Sequence, residues 1–201
     1  RNYVNRILKI ALLLIMFAPS AALANKDNCI KAFQNKEYDD AFVICSSIKG
    51  EDIDISLILT HLYYFGKGTK QDYKKAFEYI RLPADAGSVE AEFVKGMMYL
   101  NGNGVEKNPV EAEKWLTKAS NQEYTEAMVT LGLEYYYGDK IKRNVSKAFA
   151  WLMTAFYKEQ SKDIWLLLSR LYQEGLKDNM ENPLLIIKFL TNAAEGGYVQ
   201  A

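Results

Sequence analysis

Few side chains in this sequence could carry chemistry, and their spacing sets what they could do. His61 is the single histidine, so a zinc site would have to draw on it without a second imidazole or a nearby free thiol. The same residue would have to serve any serine triad. Ser46, Ser47, Ser88 and Ser169 lack the Gly-x-Ser-x-Gly context of a nucleophile elbow. Gly66-Lys67-Gly68-Thr69-Lys70 has the residue types of a phosphate loop but not the Gly-x-x-x-x-Gly-Lys-Ser/Thr spacing, and it follows a helical pattern instead of a strand. The acidic clusters Glu51-Asp52-Asp54 and Asp39-Asp40 fall at expected turns and helix starts, where carboxylates satisfy free amides. Asn144-Val145-Ser146 matches a glycosylation sequon, yet it also stands at a helix start. The expectation is a chain that is not an enzyme, with no catalytic residues, cofactor or metal.

Two cysteines remain. Cys29 and Cys45 flank the stretch AFQNKEYDDAFVI, whose polar centre near Glu37 divides two helix-compatible halves. An antiparallel hairpin folded there brings the two thiols opposite one another, so a disulfide is expected. The compartment implied by the first 24 residues agrees with that. Arg1, Arg6 and Lys9 precede nine apolar residues from Ile10 to Ala18, then Pro19 and the small-residue end Ala22-Leu23-Ala24. This is the pattern of a secretory signal peptide cleaved after Ala24. The apolar run is too short for the roughly 20 residues of a membrane-crossing helix, so no stable membrane insertion is expected after cleavage. A periplasmic or secreted protein is the expectation, and paired cysteines suit such an oxidising setting.

The 201 residues, 49% apolar and 25% charged, are those of a folded globular chain. Twenty-five basic residues balance twenty-five acidic ones, and no basic patch would recruit nucleic acid. Loss of Arg1, Arg6 and Lys9 leaves 22 basic against 25 acidic residues, a mildly acidic mature chain.

What organises the chain is a repeat. Gly66, Gly102, Gly138 and Gly175 stand 36, 36 and 37 residues apart. Tyr63, Tyr99, Tyr135 and Tyr172 stand three before these markers, and Ala76, Ala112 and Ala148 ten after. A period in the mid-thirties without strand-like alternation predicts paired helices that cover one another's apolar faces. Helix A ends at the marker glycine and a polar loop follows. Helix B carries Ala112, Trp115, Leu116 and Ala119 on one face. Small residues at Gly96, Gly132 and Ser169 let neighbouring helices approach.

The run Gly96-Met97-Met98-Tyr99-Leu100-Asn101-Gly102-Asn103-Gly104-Val105, followed by Ala112, Trp115-Leu116 and Ala119, resembles the Sel1-like repeat, a relative of the tetratricopeptide repeat. The resemblance implies an all-α, right-handed α/α superhelical solenoid. Residues 1–24 would be the leader, 25–54 an N-terminal helical hairpin outside the motif, and 55–90, 91–126, 127–163 and 164–201 four repeats. Ala201 stands in the register of Ala91 and Ala127, so the chain is expected to be cut at a repeat boundary.

Such repeats imply binding of a protein or peptide, as a scaffold or adaptor in the cell envelope or as a secreted factor. Two alternatives stand beside that. Cysteine-rich relatives are associated with β-lactam or cell-wall-fragment binding, but they carry a cysteine pair in each repeat. A regulatory subunit of a membrane-associated complex is the other. Specificity is expected where the frame is fixed and residues vary, eight, five and one before each marker on helix A. These are Ile58, His61 and Phe65; Val94, Met97 and Asn101; Thr130, Leu133 and Tyr137; Leu167, Arg170 and Glu174. Of these, His61, Phe65, Met97, Asn101, Tyr137, Arg170 and Glu174 are the expected partner-binding residues.

Overall fold

The computed structural model describes residues 25–48 and 51–175. The expected leader and most of the expected fourth repeat lie outside them. Among the described residues every regular element is a helix: α1 (25–34), α2 (Tyr38–Ser47), α3 (Ile53–Phe65), α4 (Tyr73–Asp85), α5 (Val89–Asn101), α6 (Pro109–Asn121), α7 (Thr125–Tyr137), α8 (Val145–Lys158) and α9 (Lys162–Gly175). Two compact units divide the chain, Arg1–Lys107 and Asn108–Ala201. In the first, α2 packs on α3, α3 on α4 and α4 on α5; in the second, α6 packs on α7, α7 on α8 and α8 on α9.

Local signals at the 36-residue period fix where α3, α5 and α7 end and where α4, α6 and α8 begin. α3, α5 and α7 close on Gly66, Gly102 and Gly138, each left-handed, with φ of 65°, 77° and 72°. The glycine amides return to the carbonyls of Leu62, Met98 and Glu134. Six residues on, Asp72, Asn108 and Asn144 cap α4, α6 and α8 by accepting from the first-turn amides. The asparagine of the sequon is therefore a helix cap, its side-chain oxygen 2.9 Å from the Lys147 amide.

Each helix B buries the same pair of positions. Ala76, Ala112 and Ala148 are fully buried, and so are Ile80, Leu116 and Leu152 four residues later. The partner surface on helix A is small where these aliphatics arrive. A Cβ added to Gly132 would stand 2.5 Å from Leu152 Cγ, so only glycine permits that approach.

The hairpin obeys the same plan, which motif matching leaves out of the repeat. Tyr38-Asp39-Asp40-Ala41-Phe42 of α2 parallels Tyr73-Lys74-Lys75-Ala76-Phe77 of α4, and Ala41 is as buried as Ala76. Phe77 meets Tyr99 edge-on at 5.2 Å, and Phe42 meets Tyr63 in the same way at 5.4 Å. A Cβ on Gly104 would lie 1.9 Å from the Tyr73 carbonyl oxygen, and one on Gly68 would lie 2.0 Å from that of Tyr38. α2 thus stands to the first repeat as α4 stands to the second. Cys45 occupies the place of Ile80, and its disulfide to Cys29, with Cα atoms 5.1 Å apart, ties α1 to α2. Lys26 on α1 also reaches Asp52 and Asp54 at 2.8 Å, joining the hairpin to the start of α3.

Candidate functional site

In the first unit the varying positions of α3 and α5 come together. A groove of about 350 Å³ is lined by Leu57, Thr60, His61, Tyr64 and Phe65 from α3, Ile80 from α4, and Glu90, Phe93, Val94 and Met97 from α5. Its two long walls keep the repeat register, since Leu57 and Phe93, and again His61 and Met97, stand 36 residues apart. Three of the expected partner-binding residues, His61, Phe65 and Met97, are in it. Phe65 is 57% exposed, an unusual state for a phenylalanine at a helix end.

His61 is not displayed freely, because the hairpin packs against it. Its ring lies 5.1 Å from Phe33, 6.5 Å from Tyr38 and 4.6 Å from Phe65. Burial, and then the Lys67 ammonium 3.5 Å from Nε2, hold its pKa below the ordinary 6.5, so the imidazole is neutral. Lys67 itself sits over the Tyr38 ring at 4.8 Å and the Phe65 ring at 5.5 Å. Tyr64 is fixed from the next loop, where the Asn103 amide donates to its hydroxyl at 2.8 Å.

The remaining expected residues do not join this groove. Asn101 is exposed at the last turn of α5. Tyr137, 57% exposed, ends α7 with its ring 4.8 Å from Tyr136, and Arg170 is exposed on α9. The side chain of Glu174 lies outside the described residues. Ile58, expected to vary toward a partner, is instead buried. A groove of the second unit, about 400 Å³, is lined by Thr125, Glu126, Val129, Thr130, Glu159, Ser161 and Ile164. Its threonines and carboxylates differ in chemistry from the rings of the first unit's groove, and of its α7 residues only Val129 stands in register with the α3 wall, at Leu57. Sequence reasoning missed Leu57, Tyr64, Glu90 and Phe93. Leu57, Phe93, Val129 and Leu166, nine before each marker, are an apolar series that could have revealed the wall.

Among the described residues no group of three or more His, Cys, Asp or Glu side chains could hold a metal ion. No described helix is long and apolar enough to cross a membrane.

The comparisons agree with this geometry. A family model described as the Sel1 repeat matches residues 61–88, 89–124 and 125–154. A Sel1 repeat protein from Oxalobacter formigenes has a similar solved structure, with a TM-score of 0.64 and 25% identity over 74% of this chain and 61% of that one. A protective antigen present in uropathogenic Escherichia coli strains, displaying an SLR fold, gives a TM-score of 0.71 at 21% identity over 90% of this chain. This chain spans 61% and 39% of the lengths of those two proteins. No curated protein matches it. With its capped helix pairs in 36-residue register, the chain carries three consecutive Sel1 repeats and has the fold of an all-α helical-repeat solenoid.

Proposed function

We propose that this protein is an exported, non-enzymatic scaffold that binds another protein along the helix A face of its first unit. Sel1 repeats generally mediate protein–protein interactions. The observation that carries the reading to this chain is the apolar groove between α3 and α5, with Phe65 exposed at its edge. Aromatic and methionine side chains in a concavity are the anchors from which interfaces draw most of their energy. Export is supported by the basic and then apolar pattern of residues 1–24 and by the Cys29–Cys45 disulfide. One cysteine pair in the chain, in place of one per repeat, sets it apart from the cysteine-rich relatives that bind β-lactams or cell-wall fragments.

A photo-crosslinking amino acid placed at Met97 in living cells tests the binding face. A discrete covalent adduct to one protein is expected, absent when the probe sits at Arg81 on the exposed side of α4. Equal capture from both positions, or none from Met97, overturns the reading. Export is checked by the mass of the protein's mature N-terminus, expected at Asn25.

A further inference from the structure

We propose that the groove between α3 and α5 receives a short extended peptide with an apolar centre and opposite charges at its two ends, the positive one at Glu90 and the negative one at Lys67. This rests on the scaffold reading and adds the chemistry of the partner. α3 packs on α4 and α4 on α5 through short connections, so α3 and α5 run in the same direction and share their register. The walls are apolar along their middle, with Leu57, Phe93, Val94 and Met97. The lining of α3 runs from residue 57 to 65, about 12 Å of helix at about 1.5 Å per residue. About four residues of extended chain cross that span. A volume of about 350 Å³ lies at the small end of ligand pockets, fit for a few side chains and too small for the face of a folded domain.

The two ends of this trough carry opposite charges. Glu90 lies exposed in the first turn of α5 and lines the groove. An acid there also complements the helix dipole. Asp54 holds the same register in α3 and is taken up by Lys26 at 2.8 Å, whereas Glu90 has no ion pair among the described residues. At the opposite end Lys67 follows α3 beside His61 and Phe65, with aromatic faces and no carboxylate around its ammonium among the described residues. Separated charges flanking an apolar floor select orientation and register in a partner more than they raise its affinity. The second unit's groove carries Glu126 and Glu159 with no basic residue in its lining, so the prediction is confined to the first.

The test uses the full chain and fluorescein-labelled, end-blocked pentapeptides read by anisotropy. A Lys-Leu-Leu-Phe-Glu peptide is expected to bind about tenfold more tightly than its alanine-centred counterpart. A peptide with glutamate at both ends should bind wild-type protein about threefold more weakly than the mixed-charge one, and Glu90→Lys should invert that order. Val94→Trp, with an unchanged helical spectrum, should remove saturable binding. The proposal is overturned if the alanine-centred peptide binds equally well, or if Glu90→Lys leaves the ranking as it was. Should those results coincide with continued capture from Met97 in cells, the scaffold reading stands and only the partner's chemistry is wrong.

Discussion

Phe42 stands edge-on to Tyr63 at 5.4 Å and 90°, the same relation that Phe77 has to Tyr99 one repeat later at 5.2 Å and 84°. In the second unit Glu113 takes the phenylalanine's place, accepting a hydrogen bond from the Tyr135 hydroxyl, with Lys147 3.2 Å from the same carboxylate oxygen. The helix A tyrosines Tyr63, Tyr99 and Tyr135 are therefore each met by helix B of the preceding pair, through a ring where the contact is apolar and a carboxylate where it is polar.

The polar version should behave as a coupled pair. Burial, and then the bond to Glu113, push the Tyr135 phenol above its ordinary value of 10.0, so it is a donor at neutral pH. Tyr135→Phe and Glu113→Gln should each cost about 1 kcal/mol in urea unfolding. The double variant should cost clearly less than their sum. Strict additivity would show that the two groups do not depend on one another.

The loop glycines give a graded test of close packing. Gly104 has φ of +74° and faces the Tyr73 carbonyl, while Gly87 has φ of +86° with nothing within 4 Å of an added Cβ. Gly87→Ala should cost about 1–2 kcal/mol, the backbone term alone. Gly104→Ala adds a collision with main chain and should cost about 3 kcal/mol or more. Equal thermal shifts for the two variants would mean that the loop does not bear on α4.

Reduction of Cys29–Cys45 removes a cross-link between residues 16 apart and should lower stability by about 3 kcal/mol on the chain-entropy argument. The intact protein should gain about two protons in mass when reduced. Loss of the far-UV signal confined to a minor fraction of the helices would place the damage in the hairpin.

His61 makes the fold sensitive to acid. Its folded pKa lies below 6.5, so as pH falls beneath that value the unfolded chain takes up a proton before the folded one does. Stability from this group is fully present above about pH 6.5 and declines on the way down to the lower folded value. Comparing wild type with His61→Gln in urea at about pH 7.5 and about pH 5, the wild type should lose more stability on acidification. A difference that does not change with pH would refute this.

The architecture was readable because Gly66, Gly102 and Gly138 need left-handed backbone at the same place in each copy, and Ala76, Ala112 and Ala148 need to vanish beneath a neighbouring helix. Both demands restrict residue type strongly at a fixed period. His61 was harder, since the Phe33 and Tyr38 rings that surround it arrive from a hairpin lying outside the motif. Glu90 was concealed by its own position, because an acid in a first helical turn has an adequate local explanation. The kinship of Tyr38-Asp39-Asp40-Ala41-Phe42 with Tyr73-Lys74-Lys75-Ala76-Phe77 was in plain view. It spans only five residues, however, and the loop before it is shorter than a repeat's, so periodic matching passes over it. For the expected partner-binding set, only the members on α3 and α5 that face one another form a cavity, and that depends on packing, which spacing alone does not specify.

At Ile80, Leu116 and Leu152 a helix pair is closed by an aliphatic side chain leaving water, an event that asks nothing of the surroundings but water itself. At Cys45 the equivalent closure asks for an electron acceptor. The repeats can therefore close in any compartment, whereas the hairpin is completed only where the chain meets an oxidant. Since Phe33 and Tyr38 of that hairpin press on His61, the wall of the first groove leans on an oxidation that the repeats' own closures do not need.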